Sequence, residues 1–128
     1  MTAITITDAG RRLYRDSTRG ANTPLIKYVA VGTGTTAPST SDTQLVNEVY
    51  RKAVTSYVNG AAPGEVIVSM FLGAGDANGQ DIEEIGFYGG SAATGIGNSG
   101  VLVAHGLYSV NPKTINQNVQ IQLDLNFS

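Results

Sequence analysis

The chain contains no cysteine, which removes disulfides, thiolate metal sites and cysteine nucleophiles together and leaves the redox compartment open. It is also poor in charge. Asp, Glu, Lys and Arg make up 14% of the residues, against the roughly 25% usual in soluble domains. The formal net charge is −2, so the basic surplus of a protein made chiefly to neutralise nucleic-acid phosphate is missing. No apolar run approaches the about 18 residues of a membrane-spanning helix. The opening M-T-A-I-T-I-T-D has no basic region followed by an apolar core, so neither a membrane partner nor a secretory leader is expected, and synthesis is expected in the cytoplasm.

What remains points to strands and tight turns. The sequence has 16 glycines in 128 residues, about twice the average frequency of roughly 7%, and its 41% of apolar residues suffice for a buried core. That length predicts a single domain over residues 1–128. The clearest element is the last. In residues 118–128, N-V-Q-I-Q-L-D-L-N-F-S, Val119, Ile121, Leu123, Leu125 and Phe127 alternate with Gln120, Gln122, Asp124 and Asn126. Successive strand side chains point to opposite faces, so this is an antiparallel strand with one dry face and one wet face.

Residues 1–7 alternate through Ile4 and Ile6 and suit a short edge strand or an ordered arm. Thr7 or Asp8 then caps a helix running to about Ser17, with Ala9, Leu13 and Tyr14 as its apolar stripe, an Arg12–Asp16 pair, and Gly20 as its stop. Gly10 weakens that helix, so packing must hold it. A β-rich run over 25–31 leads into a polar surface loop over 32–41. Asp42 is placed to cap a helical turn over 43–46, and 48–58 reads as extended. Turn residues at 59–64 make a hairpin with 65–72, where Val66, Val68, Met70 and Leu72 share a face. The glycine-rich 73–79 is a turn, 82–88 a strand, 89–100 a flexible loop of low charge, 101–108 a strand, and 111–114 a turn. Six strands after one helix, without crossover helices, predict a mainly β fold of α+β type, an antiparallel β-sandwich or open barrel.

Four groups invite a chemical reading. Gly32-Thr-Gly-Thr-Thr offers glycines to an anion, but the spacing of a dinucleotide or P-loop site and its following helix are missing. Asp81, Glu83 and Glu84 are the densest acidic group; adjacent strand residues diverge, so a solvated edge or an interface ion pair is expected rather than a metal site. His105, the only histidine, alternates onto the face of Val103 and Leu107. No partner for it can be named from sequence, and a packed, hydrogen-bonded histidine is expected rather than a general base. Arg11, Arg12, Arg15 and Arg19 are half of the eight basic residues and form either a solvated helix face or a partner surface. No catalytic, cofactor-binding or metal-binding residue is assigned.

Three segments carry a family resemblance: Ile26-Lys-Tyr-Val-Ala-Val-Gly-Thr-Gly34, Leu45-Val-Asn-Glu-Val-Tyr-Arg51 and Ile82-Glu-Glu-Ile-Gly-Phe-Tyr88. Together with Thr7-Asp-Ala-Gly10 they resemble, in order, the T-x-A-G, V-G-x-G, L-x-N-E-x-Y/F-R and E-E-I-G-L/F-Y/F signatures of the phage tail-collar fibre family, over residues 5–108. The resemblance implies a virion structural role without catalytic residues, since such domains anchor fibres to the tail or baseplate, commonly as trimers. Longer relatives continue into a fibre shaft, whereas this sequence stops at Ser128, so a collar, baseplate, adaptor or decoration subunit is expected rather than a receptor-binding fibre. The expected partners are the chain itself, as a trimer, and other virion proteins. The candidate interface is Arg11, Arg12, Arg15, Arg19, Thr33, Thr35, Thr36, Tyr88, Ile96 and Asn98. A carbohydrate-binding sandwich is the alternative, with Tyr88 and Tyr108 as the aromatics it would expose, and a small hydrolase is a further rival.

Overall fold

The helix begins where a threonine satisfies its first free amide. Thr7 Oγ1 accepts from Gly10 N–H at 2.9 Å, and the helix α1 spans Asp8–Thr18. Its one glycine is required by packing: a Cβ at Gly10 would stand 2.8 Å from Val103 Cα and O, so α1 approaches the neighbouring strand more closely than a side chain permits. Asp16 pairs with Arg15 and Arg19 rather than with the expected Arg12.

The computed structural model describes residues 4–110 and 112–126; Phe127, expected on the dry face of the last strand, and Asn111, in the expected turn, lie outside them. Among the described residues there are eight strands besides the helix: β1 (Ile4–Ile6), β2 (Ile26–Gly32), β3 (Glu48–Ala53), β4 (Ser56–Asn59), β5 (Glu65–Leu72), β6 (Ile82–Gly89), β7 (Val101–Val110) and β8 (Val119–Asn126). They form a five-stranded antiparallel sheet ordered β1-β7-β6-β2-β3 and a three-stranded one ordered β4-β5-β8. The fold is a mainly β sandwich with one helix.

Two strands more than the expected six arise from β1 and from a break in 48–58. Val54 N–H donates to Lys27 O in the larger sheet and Thr55 N–H to Ser69 O in the smaller one, so the chain changes sheets between these residues. No helix forms over 43–46. The Val46 and Asn47 amides donate to the Glu84 carboxylate, and Asp42 accepts from Ser39 N–H behind it instead of capping a turn ahead.

The core lies between the sheets. Val29, Val31, Ile85 and Phe87 from one side meet Val68, Met70, Leu72, Ile121 and Leu123 from the other. Each such side chain contributes about 1.5–3 kcal/mol when fully buried. Strand β8 follows its sequence pattern, with Val119, Ile121 and Leu123 buried and Gln120, Gln122, Asp124 and Asn126 exposed. A second, smaller cluster of Ala30, Leu45, Tyr88 and Leu102 sits on the outer face of the larger sheet.

At one corner Lys113 is fully buried. Its ammonium donates to Gly73 O at 2.9 Å, Asn78 Oδ1 at 3.0 Å and Thr114 O at 2.9 Å, which ties the 73–79 turn to the segment before β8.

Candidate functional site

The outer face of the larger sheet carries a buried polar assembly that holds two long loops. Alternation along β6 sends Ile85 and Phe87 into the core and leaves Glu84 and Tyr88 on the opposite face. Glu84 is wholly buried. Its Oε2 accepts from Gly34 and Asn47 N–H, each at 2.9 Å, and its Oε1 accepts from Val46 N–H at 3.0 Å and faces His105 Nε2 at 2.9 Å. The expectation of a solvated edge or interface pair thus fails for Glu84, because β6 is a central strand covered on both faces. Asp81 is exposed and Glu83 is partly buried, and among the described residues no group of three His, Asp or Glu is arranged to hold a metal ion.

His105 is packed and hydrogen-bonded, as expected, but on the face opposite to Val103. A register shift between Phe87 and Tyr88 bulges β7, so Val103 and Ala104 both enter the core while Leu102 and His105 turn outward. Its Nδ1 faces Asp42 Oδ2 at 2.8 Å. Burial pushes the Asp42 carboxyl up, but the Ser39 amide and His105 together hold it below the ordinary carboxylate range. Each ring nitrogen therefore faces a carboxylate oxygen within hydrogen-bonding distance.

The glycine-containing loop after β2, which lacks the spacing of a phosphate site, turns its backbone to an anion of the protein itself. The Gly34 amide aims at Glu84, and a Cβ there would lie 2.5 Å from Oε2, so glycine is needed for the backbone to reach the carboxylate. Segment 33–47 is strapped to the sheet through Gly34, Asp42, Val46 and Asn47, and through Leu45, whose N–H donates to Tyr88 Oη at 3.0 Å. Burial is the main force raising the Tyr88 phenol to about 12.

Next to this lies an ion pair. Arg51 donates to Glu48 from Nε at 2.6 Å and from Nη2 at 2.8 Å, and both side chains are nearly closed to solvent, 3% and 4% exposed. The guanidinium sits 4.3 Å from the centre of the Tyr88 ring. Its remaining donors reach Thr94 O and Ser99 O at 3.0 Å each, and Glu48 Oε1 accepts from Asn98 N–H at 3.0 Å. The loop between β6 and β7, expected to be flexible, is thereby fastened across the sheet with Ile96 left 74% exposed.

The candidate interface residues are partly gathered. Thr33 accepts from Asn47 Nδ2 at 2.7 Å and Asn98 bonds the adjacent Glu48, so the two loops meet at the start of β3, with Thr35 and Thr36 exposed beside them. Arg11, Arg12 and Arg15 on α1 and Arg19 at its C-cap are exposed; the helix packs on β7 and forms a separate surface. Tyr88 is a correction. It is fully buried, because its hydroxyl takes the Leu45 amide and its ring carries Arg51, so it presents nothing to a partner. Tyr108 is half-buried.

Sequence reasoning missed the Asp42–His105–Glu84 and Glu48–Arg51 connections. One signal was available: an acid flanked by Ile82 and Ile85 in a short apolar strand has to be answered by donors. Compared with protein-family models, with curated proteins and with solved structures, the chain matches none.

Proposed function

We propose that this chain is a non-enzymatic structural subunit of a phage tail or related particle, acting as a collar, baseplate or fibre-attachment adaptor through protein–protein contacts. The observation that carries the reading is that three of the four segments of the family resemblance meet in one buried assembly, while the fourth seats the helix on the adjacent strand β7. Thr7 and Gly10 seat α1 on β7, Gly34 and Asn47 bind Glu84, Leu45 binds Tyr88, and Glu48 binds Arg51. The assembly holds two nearly uncharged loops in fixed shape, and interfaces disfavour charge at their centres while rewarding parts that are already ordered.

In this reading the loops over 33–41 and 89–100 and the N-terminal segment contact other copies, as a trimer, and other virion proteins, and the chain resides in the particle after synthesis in the host cytoplasm. The alternative of a carbohydrate-binding module gains no support from Tyr88, which is buried. A decoration protein differs only in where on the particle it sits. An averaged electron-microscopy map of the purified particle tests the proposal, with copies expected to touch one another through both loops. A map in which each copy stands alone with both loops in solvent, or particles that lack the chain, would overturn it.

A further inference from the structure

The sandwich is joined on one side and open on the other. On the joined side the chain runs directly from β3 into β4 across residues 54–55. On the open side β1 and β8 end their sheets, and between them runs a groove of about 350 Å³ lined by Ile4, Ile85, Tyr108, Ile121, Leu123 and Asp124, among others.

Strand β8 forms one wall, and its free backbone groups can be identified. Thr55 N–H donates to Ser69 O at 2.7 Å and Gly60 N–H to Glu65 O at 2.9 Å, so the odd residues of β5 turn their backbone groups toward β4 and the even ones toward β8. In the unbroken β5–β8 register Val68 faces Leu123 and Met70 faces Ile121. The backbone N–H and C=O of Gln120, Gln122, Asp124 and Asn126 therefore point at the open edge.

The other three sheet edges are guarded or short. Strand β1 has three residues and β4 four, while β3 carries Arg51 and Lys52 and meets a register shift at Val31/Gly32. Strand β8 has eight residues, no lysine, no proline and no bulge, which is the kind of edge that recruits another strand.

We propose that β8 pairs with β8 of a second copy, antiparallel about a twofold axis near Gln122, to make one continuous six-stranded sheet. The occupant is a second copy because the edge complements itself. Pairing centred on Gln122 sets Gln120 opposite Asp124, so no like charges face each other. It also places Ile121 of one copy opposite Leu123 of the other, over the joined grooves. This contact uses no residue of the two loops and does not depend on the virion reading.

Amide hydrogen exchange of the intact chain, followed as a function of protein concentration, tests it together with light scattering. At low concentration the amides of Gln120, Gln122, Asp124 and Asn126 exchange freely while those of Ile121, Leu123 and Leu125 are protected by β5. At high concentration a dimer is expected in which the even amides slow by about tenfold or more. Gln122→Lys, which sets like charges against each other at the axis, and Gln122→Pro, which deletes an edge donor, are expected to stay monomeric. A chain that remains monomeric at the highest concentration, or an oligomer in which these four amides stay unprotected, overturns the proposal. So does a dimer that persists unchanged in a folded Gln122→Lys or Gln122→Pro variant.

Discussion

Glu84 Oε1 and His105 Nε2 stand 2.9 Å apart where neither side chain reaches solvent. The two residues lie on adjacent strands, and each also holds the strap of residues 33–47, Glu84 through the Gly34, Val46 and Asn47 amides and His105 through Asp42.

Glu84→Gln keeps the size of the side chain but turns a donor toward amides that need acceptors. Removing one partner of a buried charged network costs about 3–5 kcal/mol, and a loss of that order is expected in the urea unfolding free energy. A midpoint equal to that of the parent would show that the strap is held by packing alone.

Arg51→Lys retains the charge and loses the bidentate geometry and the ring contact. Exchange of the amides over 94–99 is expected to rise by about tenfold or more, with global stability falling less than in Glu84→Gln. Unchanged exchange in that loop would mean that the guanidinium does not fix it.

Leu123→Asp is expected to prevent soluble folding, because an unpaired carboxylate placed in the core costs several kcal/mol, about enough to cancel the stability of a small domain. Gln122→Asp, one residue away on the wet face, is expected to shift the unfolding midpoint little. Comparable midpoints would contradict the assignment of the two faces.

Stability is expected to fall at both pH extremes for separate reasons. Lys52, then the Gly73 amide and Tyr50, pull the Asp76 carboxyl down to about 2. A group lowered on folding stabilises above its unfolded pKa and loses that contribution as pH falls through the folded value, here between about pH 4 and pH 2. Solvent at the half-exposed Lys52 moderates the size. Tyr88, raised to about 12, stays neutral when an unfolded phenol ionises, so its contribution is lost as pH climbs from about 10 to about 12. Urea titrations across pH are expected to show Asp76→Asn flattening the acid limb and Tyr88→Phe the alkaline one.

The sequence reading succeeded where burial has a period. Strand β8 is half-buried, so its alternation names its faces, and α1 shows its cap and its need for packing through Thr7 and Gly10. It failed where one residue breaks the period or where partners come from far along the chain. The bulge opposite Phe87/Tyr88 parted His105 from the face of Val103 while leaving it on that of Leu107. Asp42 meets His105 across 63 residues, a separation that no local pattern encodes. The loop over 89–100 looked flexible because its restraints, Glu48 and Arg51, belong to another strand.

Lys113 gives the 73–79 corner an unusual independence from its surroundings. Carbonyl oxygens gathered from a glycine-rich turn and a neighbouring segment are the donor set with which many loops collect a hard cation from solution. Here the cation is covalently attached, and its local concentration is set by a side-chain tether rather than by the medium. Dilution or a change of salt cannot carry it away, so the shape of this corner is fixed by inheritance instead of supply. Only chemistry on a single amine, or a change in the codon for Lys113, would release it.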